Sequence, residues 1–145
     1  MPRFNPCRVA RRLIAAALLA SAGATGALAD SALGGMDPVS LRDTGRPVVG
    51  DAAISTRWKG VQWVFANEAN RGTFEANPRA YAPGFDGNCP VMLAQGEMLR
   101  GRPELFVIVG KTLYLTSSPG ARGRLAADPQ GVLAQAAERW RTFGR

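Results

Sequence analysis

The chain has 145 residues, a formal charge of +7, two cysteines and no histidine. Without imidazole, Ser-His-Asp and Cys-His catalysis, histidine acid–base chemistry and imidazole zinc sites are all excluded. Residues 1–29 supply four of the positive charges (Arg3, Arg8, Arg11 and Arg12), which leaves residues 30–145 at a net +3 with dispersed basic residues, a pattern that argues against a nucleic-acid partner.

Residues 1–29 read as a secretory signal. Basic residues come first, an apolar run from Leu13 to Ala20 follows, and small residues end at Ala27-Leu28-Ala29, an A-x-A cleavage site. The mature chain is expected to begin near Asp30 and to be periplasmic or secreted. The apolar run is too short for a bilayer anchor, so no stable membrane attachment is expected after cleavage. Cys7 precedes that run, whereas a lipid-accepting cysteine would follow it. Arg11-Arg12 leaves both the general secretory and the twin-arginine routes open.

Residues 30–36, rich in Ala, Gly and Ser, are expected to form a flexible leader. Residues 37–145 are expected to form a single domain that states its pattern twice. Asp37-Pro38-Val39-Ser40-Leu41 returns 52 positions later as Cys89-Pro90-Val91-Met92-Leu93, and Gly45, Gly50, Gly60 and Pro78 are echoed by Gly96, Gly101, Gly110 and Pro129. A drifting offset of this kind marks a tandem supersecondary unit, here residues 37–83 and 89–143. In the first unit, strand-prone runs at 53–58 and 61–65 flank Lys59-Gly60, a two-residue hairpin connection. Asn67 then caps a helix that Asn77-Pro78 ends. In the second unit, runs at 105–109 and 112–115 flank Gly110-Lys111, Ser118-Pro119 starts a helix, and Asp128-Pro129 ends it.

After these prolines the copies part. The first reaches Pro83-Gly84 within a few residues and passes through a loop of Phe85, Asp86, Gly87 and Asn88 to Cys89. The second continues over residues 130–143, with Val132, Leu133, Ala136, Ala137, Trp140 and Phe143 on one helical face. The expected fold class is α+β. Two hairpins form a small antiparallel sheet covered by helices, and the longer C-terminal amphipathic helix packs across it.

The order x-Pro-Val, glycine-turn hairpin, then a short helix ending in Asn-Pro or Asp-Pro resembles the YHS domain family in two tandem copies over roughly residues 36–141. Met36-Asp37-Pro38-Val39 and Phe74-Glu75-Ala76-Asn77-Pro78-Arg79-Ala80-Tyr81 carry the likeness most fully. The family occurs beside copper-exporting ATPases and in oxygenase components, so the resemblance implies a small metal-handling module, with copper as its metal and a metal-handling protein as partner. The chain departs from the family pattern in having no histidine and in placing Ser40 where many relatives have a cysteine.

Cys89 is the only cysteine of the mature chain, so no internal disulfide is available to it. Three readings stand beside one another. The thiol packs as a small apolar side chain. Alternatively, Cys89 with Met92 and Met98, or Met36, forms a soft site suited to Cu(I). In the third reading it is a reactive thiol whose activation would need Arg100, Arg102 or a helix N-terminus. Asp37, Phe85, Asp86 and Asn88 are the candidate ligand-binding residues, the last three because binding residues concentrate on exposed loops. The aromatic residues, Trp58 and Trp63 among them, read as core before pocket. No nucleophile elbow, phosphate loop or dinucleotide glycine fingerprint is present, and the acids are dispersed, so that a catalytic carboxylate pair such as Asp37 with Asp86 could come together only through the fold. The expected function is an exported binding module for a soft metal ion or small ligand at Cys89 and the adjacent loop. A non-catalytic interaction scaffold and a thiol-dependent enzyme are the alternatives. If the chain keeps any chemistry, the position where the copies differ, Asp37 against Cys89, is where it is expected.

Overall fold

The structure, a computed structural model, describes Leu28 and residues 30–143. The expected export segment, with Cys7, therefore lies outside the described residues except for Leu28. Two copies of one unit follow each other. The first consists of a tight turn at Ala32–Gly35, α1 (Pro38–Thr44), β1 (Asp51–Trp58), β2 (Val61–Phe65), α2 (Glu68–Ala76) and α3 (Pro78–Tyr81). The second repeats the order with a turn at Gly84–Gly87, α4 (Pro90–Ala94), β3 (Arg102–Val109), β4 (Thr112–Thr116), α5 (Pro119–Ala127) and α6 (Pro129–Phe143). No helix of the described residues is long and apolar enough to cross a membrane.

Both units begin upstream of their Pro-Val motif. Residues 30–36 are not a loose leader, because Leu33 is only 6% exposed within the core and Met36 bridges Val49. Three successive left-handed residues build each turn, Leu33, Gly34 and Gly35 in one and Phe85, Asp86 and Gly87 in the other. Such backbone is disfavoured for Leu33 and Phe85, and it persists because the surroundings fix it. Gly50 N–H donates to Gly35 O at 2.9 Å, and Gly101 N–H donates to Gly87 O at 2.9 Å. Gly50 and Gly101 also lie against their partner strands. A Cβ on Gly50 would stand 2.7 Å from the Val64 carbonyl carbon, and one on Gly101 would stand 2.4 Å from that of Leu115. Only glycine fits there.

The local signals explain the elements. Prolines occupy the first turns of α1, α4 and α5, where a missing N–H does no harm. The Asn67 side chain accepts from Asn70 N–H at 2.8 Å, and Ser118 Oγ accepts from Ala121 N–H at 3.1 Å, so both expected caps are made. Both hairpins carry the same irregularity at their open ends, between Asp51 and Ser55 and between Arg102 and Phe106. Their turns differ, because Lys59 and Gly60 both take positive φ whereas Gly110 alone does so in the second. Gly60 is thus the second residue of its turn and Gly110 the first of its own, so the two glycines are not equivalent positions.

The class is α+β, but the hairpins remain two separate two-stranded sheets rather than one. Side chains join them. Leu113 and Leu115 of β4 enter the same cluster as Leu33, Val39, Leu41, Trp63, Phe65 and Phe74 of the first unit. Each fully buried Leu or Phe here contributes about 1.5–3 kcal/mol, which an isolated hairpin could not gather. Arg42 straps the units together as well, donating from Nε to Lys111 O at 2.7 Å with its guanidinium 4.4 Å from the Tyr81 ring centre. The other face of the second hairpin, through Val107 and Tyr114, packs on Cys89, Val91, Ala121 and Leu125. Residues Val132 and Leu133 of α6 close this second cluster. Instead of crossing a sheet, α6 packs chiefly along α4, because a two-stranded ribbon is narrow and the face turned toward α6 is already covered.

Candidate functional site

The candidate residues of the sequence fall into three places. Asp37 is fully buried at the start of α1, where Oδ1 accepts from Val39 N–H at 2.8 Å and Ser40 N–H at 3.2 Å. Its Oδ2 accepts from Ala66 N–H at 2.9 Å and Asn70 Nδ2 at 2.6 Å. The group has its acceptor capacity spent inside the fold, and it lines neither cleft described below, so it is a structural hub rather than a ligand contact. Asp86 is exposed, so the imagined Asp37–Asp86 pair is one buried and one surface carboxyl group.

Cys89 holds the equivalent position at the start of α4. It is 0% exposed, its side chain caps nothing, and its neighbours are Val91, Ala121 and Leu125. Met92 packs against that cluster, Met36 packs against the other one, and Met98 is 53% exposed. These donors do not form one ligand set. Among the described residues, no three His, Cys, Asp or Glu side chains gather where they could hold a metal ion. Of the expected Cu(I) donors, only Cys89 and Met92 share one packed cluster. Of the expected thiol-activating groups, Arg102 faces Glu104 at 3.7 Å and Arg100 points into the loop described next, while a helix N-terminus is present, since Cys89 is the N-cap residue of the five-residue α4. A buried, uncapped thiol behaves as a small apolar side chain.

The loop 83–88 is different. Asn88 is buried and donates from Nδ2 to Phe85 O at 2.9 Å, which locks the strained turn rather than offering a contact. Phe85 and Asp86 face a cleft. Its larger lobe, about 540 Å³, is lined by Leu33, Trp58, Val61, Trp63, Pro83 and Pro103, with Lys59, Asp86 and Arg100 as its charged groups. A smaller lobe of about 320 Å³ is lined by Phe85, Arg79 and Trp140 and shares Trp58, Lys59, Ala82, Pro83 and Asp86 with the first. Lys59 Nζ lies 3.2 Å from Asp86 Oδ1 and 5.0 Å from the Trp58 ring centre, so a salt bridge between the two units stands where the lobes meet. Both partners are more than half exposed, which makes the bridge worth little to stability and easy to open.

The aromatic wall is packed ring against ring. Trp58 and Trp63 meet edge to face with centroids 5.9 Å apart, Trp63 lies 4.9 Å from Phe74, and Trp63 Nε1 donates to Trp58 O at 3.3 Å. The second lobe has its own pair, Phe85 at 6.0 Å from Trp140 and 5.8 Å from Tyr114. Asp86 is the sole acid of the lining, so the two-carboxylate arrangement of acid–base catalysis is not assembled there. An apolar wall with a few convergent charges suits binding. Sequence reasoning named Phe85 and Asp86 but missed Lys59, Arg79 and Arg100 as parts of one place. Lys59 in its hairpin turn was the available signal, yet its partner stands 27 residues away.

A scan against protein-family models matches none, and no curated protein and no solved structure is found to be similar to the chain.

Proposed function

We propose that the chain is an exported, non-catalytic binding module that holds a small molecule in the cleft between its two units. The observation that carries this reading is the cleft itself, about 540 Å³ with one wall of Trp58 and Trp63 from the first unit and a rim of Asp86, Gly87 and Arg100 from the second. That volume lies within the roughly 300–1,000 Å³ range of small-molecule sites. The motif likeness of both units to YHS domains belongs to the same proposal, with the exported location. A metal-handling role would have to run through Cys89 and Met92 alone, and it is kept only as an outcome to be tested.

The neutral fluorescent probe N-phenyl-1-naphthylamine tests the cleft. It is expected to bind one per chain, and Val61→Trp, which fills the lining from an exposed strand position, is expected to abolish that binding while the thermal transition stays within a few degrees of wild type. Binding unchanged by Val61→Trp would reject the cleft. Stoichiometric copper in wild type but not in Cys89→Ser, after purification under reducing, copper-replete conditions, would favour the metal reading instead.

A further inference from the structure

Resting on that reading, we infer that the ligand of the larger lobe is a small aromatic or branched apolar carboxylate, with Arg100 as the residue that takes its anionic group. Charge is the first reason. Across both lobes the lining holds Lys59, Arg79 and Arg100 against Asp86 alone. Asp86 is already engaged by Lys59 at 3.2 Å, whereas among the described residues neither Arg79 nor Arg100 has a carboxylate partner. The lobes are therefore net cationic, and an anion is the complementary ligand.

Geometry is the second reason. Arg100 Nη1 donates to the backbone carbonyl of Asp86, which ties the guanidinium to the rim of the cleft and leaves the rest of its fork undirected. A planar fork held at one edge matches a carboxylate, and holding it beforehand lowers the entropy lost on binding. Among the described residues Arg100 is the only arginine of the larger lobe, and the rest of that lining is largely apolar: Leu33, Trp58, Val61, Trp63, Pro83 and Pro103. One charge at one end and an aromatic body at the other is the ligand this wall accepts. A doubly charged phosphate would leave part of its charge without a partner. With Lys59 beside Asp86, the charged groups of the larger lobe sum to a single positive charge, which a single negative charge balances.

Titrations of the purified chain with phenylacetate, phenylacetamide, phenethylammonium and phenyl phosphate, followed by tryptophan fluorescence and calorimetry, test this. Phenylacetate is expected to bind about tenfold or more tighter than phenylacetamide, the size of effect that a charge-assisted hydrogen bond gives, with the ammonium weakest. Arg100→Gln is expected to bring phenylacetate down to the level of the amide and to leave the amide unchanged. Arg100→Lys, which keeps the charge and loses the fork, is expected to fall between the two, and it serves as the second variant should Arg100→Gln loosen the turn. Acid and amide binding equally, an unchanged affinity in Arg100→Gln, or tighter binding of phenyl phosphate would overturn the inference. If N-phenyl-1-naphthylamine still binds in those cases, the cleft stands and only the ligand class fails. If neither it nor any of the four compounds binds, both fail together.

Discussion

At the start of α1 the carboxyl group of Asp37 accepts four hydrogen bonds, and Ser40 Oγ takes a further one from Asn70 at 3.1 Å. At the start of α4 the matching positions hold Cys89, Met92 and Ala121, and no side-chain hydrogen bond is made. Cap geometry sets the third equivalence, since Asn70 and Ala121 each donate their N–H to the side chain of the cap residue three places before. The backbones hardly differ. Asp37 N–H reaches Val48 O and Cys89 N–H reaches Leu99 O, both at 2.8 Å. All three side chains of the network have thus been exchanged together, polar for apolar, around one conserved frame. A buried polar network is stable when every member is satisfied and costly when one is missing, so it survives whole or is replaced whole. The difference between Asp37 and Cys89, which in the sequence stands out as the place to look for chemistry, is accounted for by packing.

Breaking that exchange gives the largest effect. Cys89→Asp alone puts a carboxyl group among Val91, Ala121 and Leu125 without partners, and is expected to cost about 3–5 kcal/mol in urea unfolding. A loss under about 1 kcal/mol would mean that water reaches the corner. Asp37→Ala orphans two or more buried donors and is expected to cost about 3 kcal/mol by the same measurement. Adding Ala121→Asn to Cys89→Asp rebuilds part of the first corner in the second, and a double-mutant cycle should return at least about 1 kcal/mol of coupling. Additive effects would show that the two corners are not equivalent after all. The smallest effect concerns the strap between the units. Arg42→Ala is expected to cost about 1 kcal/mol, with the unfolding transition remaining single.

Much of the fold was legible because its signals are local. The caps at Asn67 and Ser118, the two-residue hairpin connections, the prolines that end α2 and α5, and the Val132, Leu133 and Ala136 part of the α6 stripe, though not its exposed Ala137 and Phe143, each rest on residues within a few positions of one another. The turn at Ala32–Gly35 was not legible. Leu33 takes a left-handed conformation against its own preference, and the hydrogen bond that helps hold the turn comes from Gly50. The separation of the sheets was hidden for a related reason, since hairpin patterns specify which face is apolar but not what covers it. The site was half legible. Composition marked the loop 83–88 as special, but the cleft takes its lining from both units, with Lys59 meeting Asp86 and Trp58 lining the same space as Gly87 and Arg100.

That Leu113 and Leu115 complete the cluster around Phe74 bears on how the protein assembles. Half of this chain would present Trp63, Phe65 and Phe74 without their cover, and would find it only by meeting another half at sufficient concentration. Joining the halves in one polypeptide makes that encounter intramolecular, so pairing no longer depends on dilution, and the two sides of the cleft are free to carry different side chains. A symmetric pair of identical halves would have had to place the same residue on both sides, and the Lys59–Asp86 bridge would have come with a copy of itself.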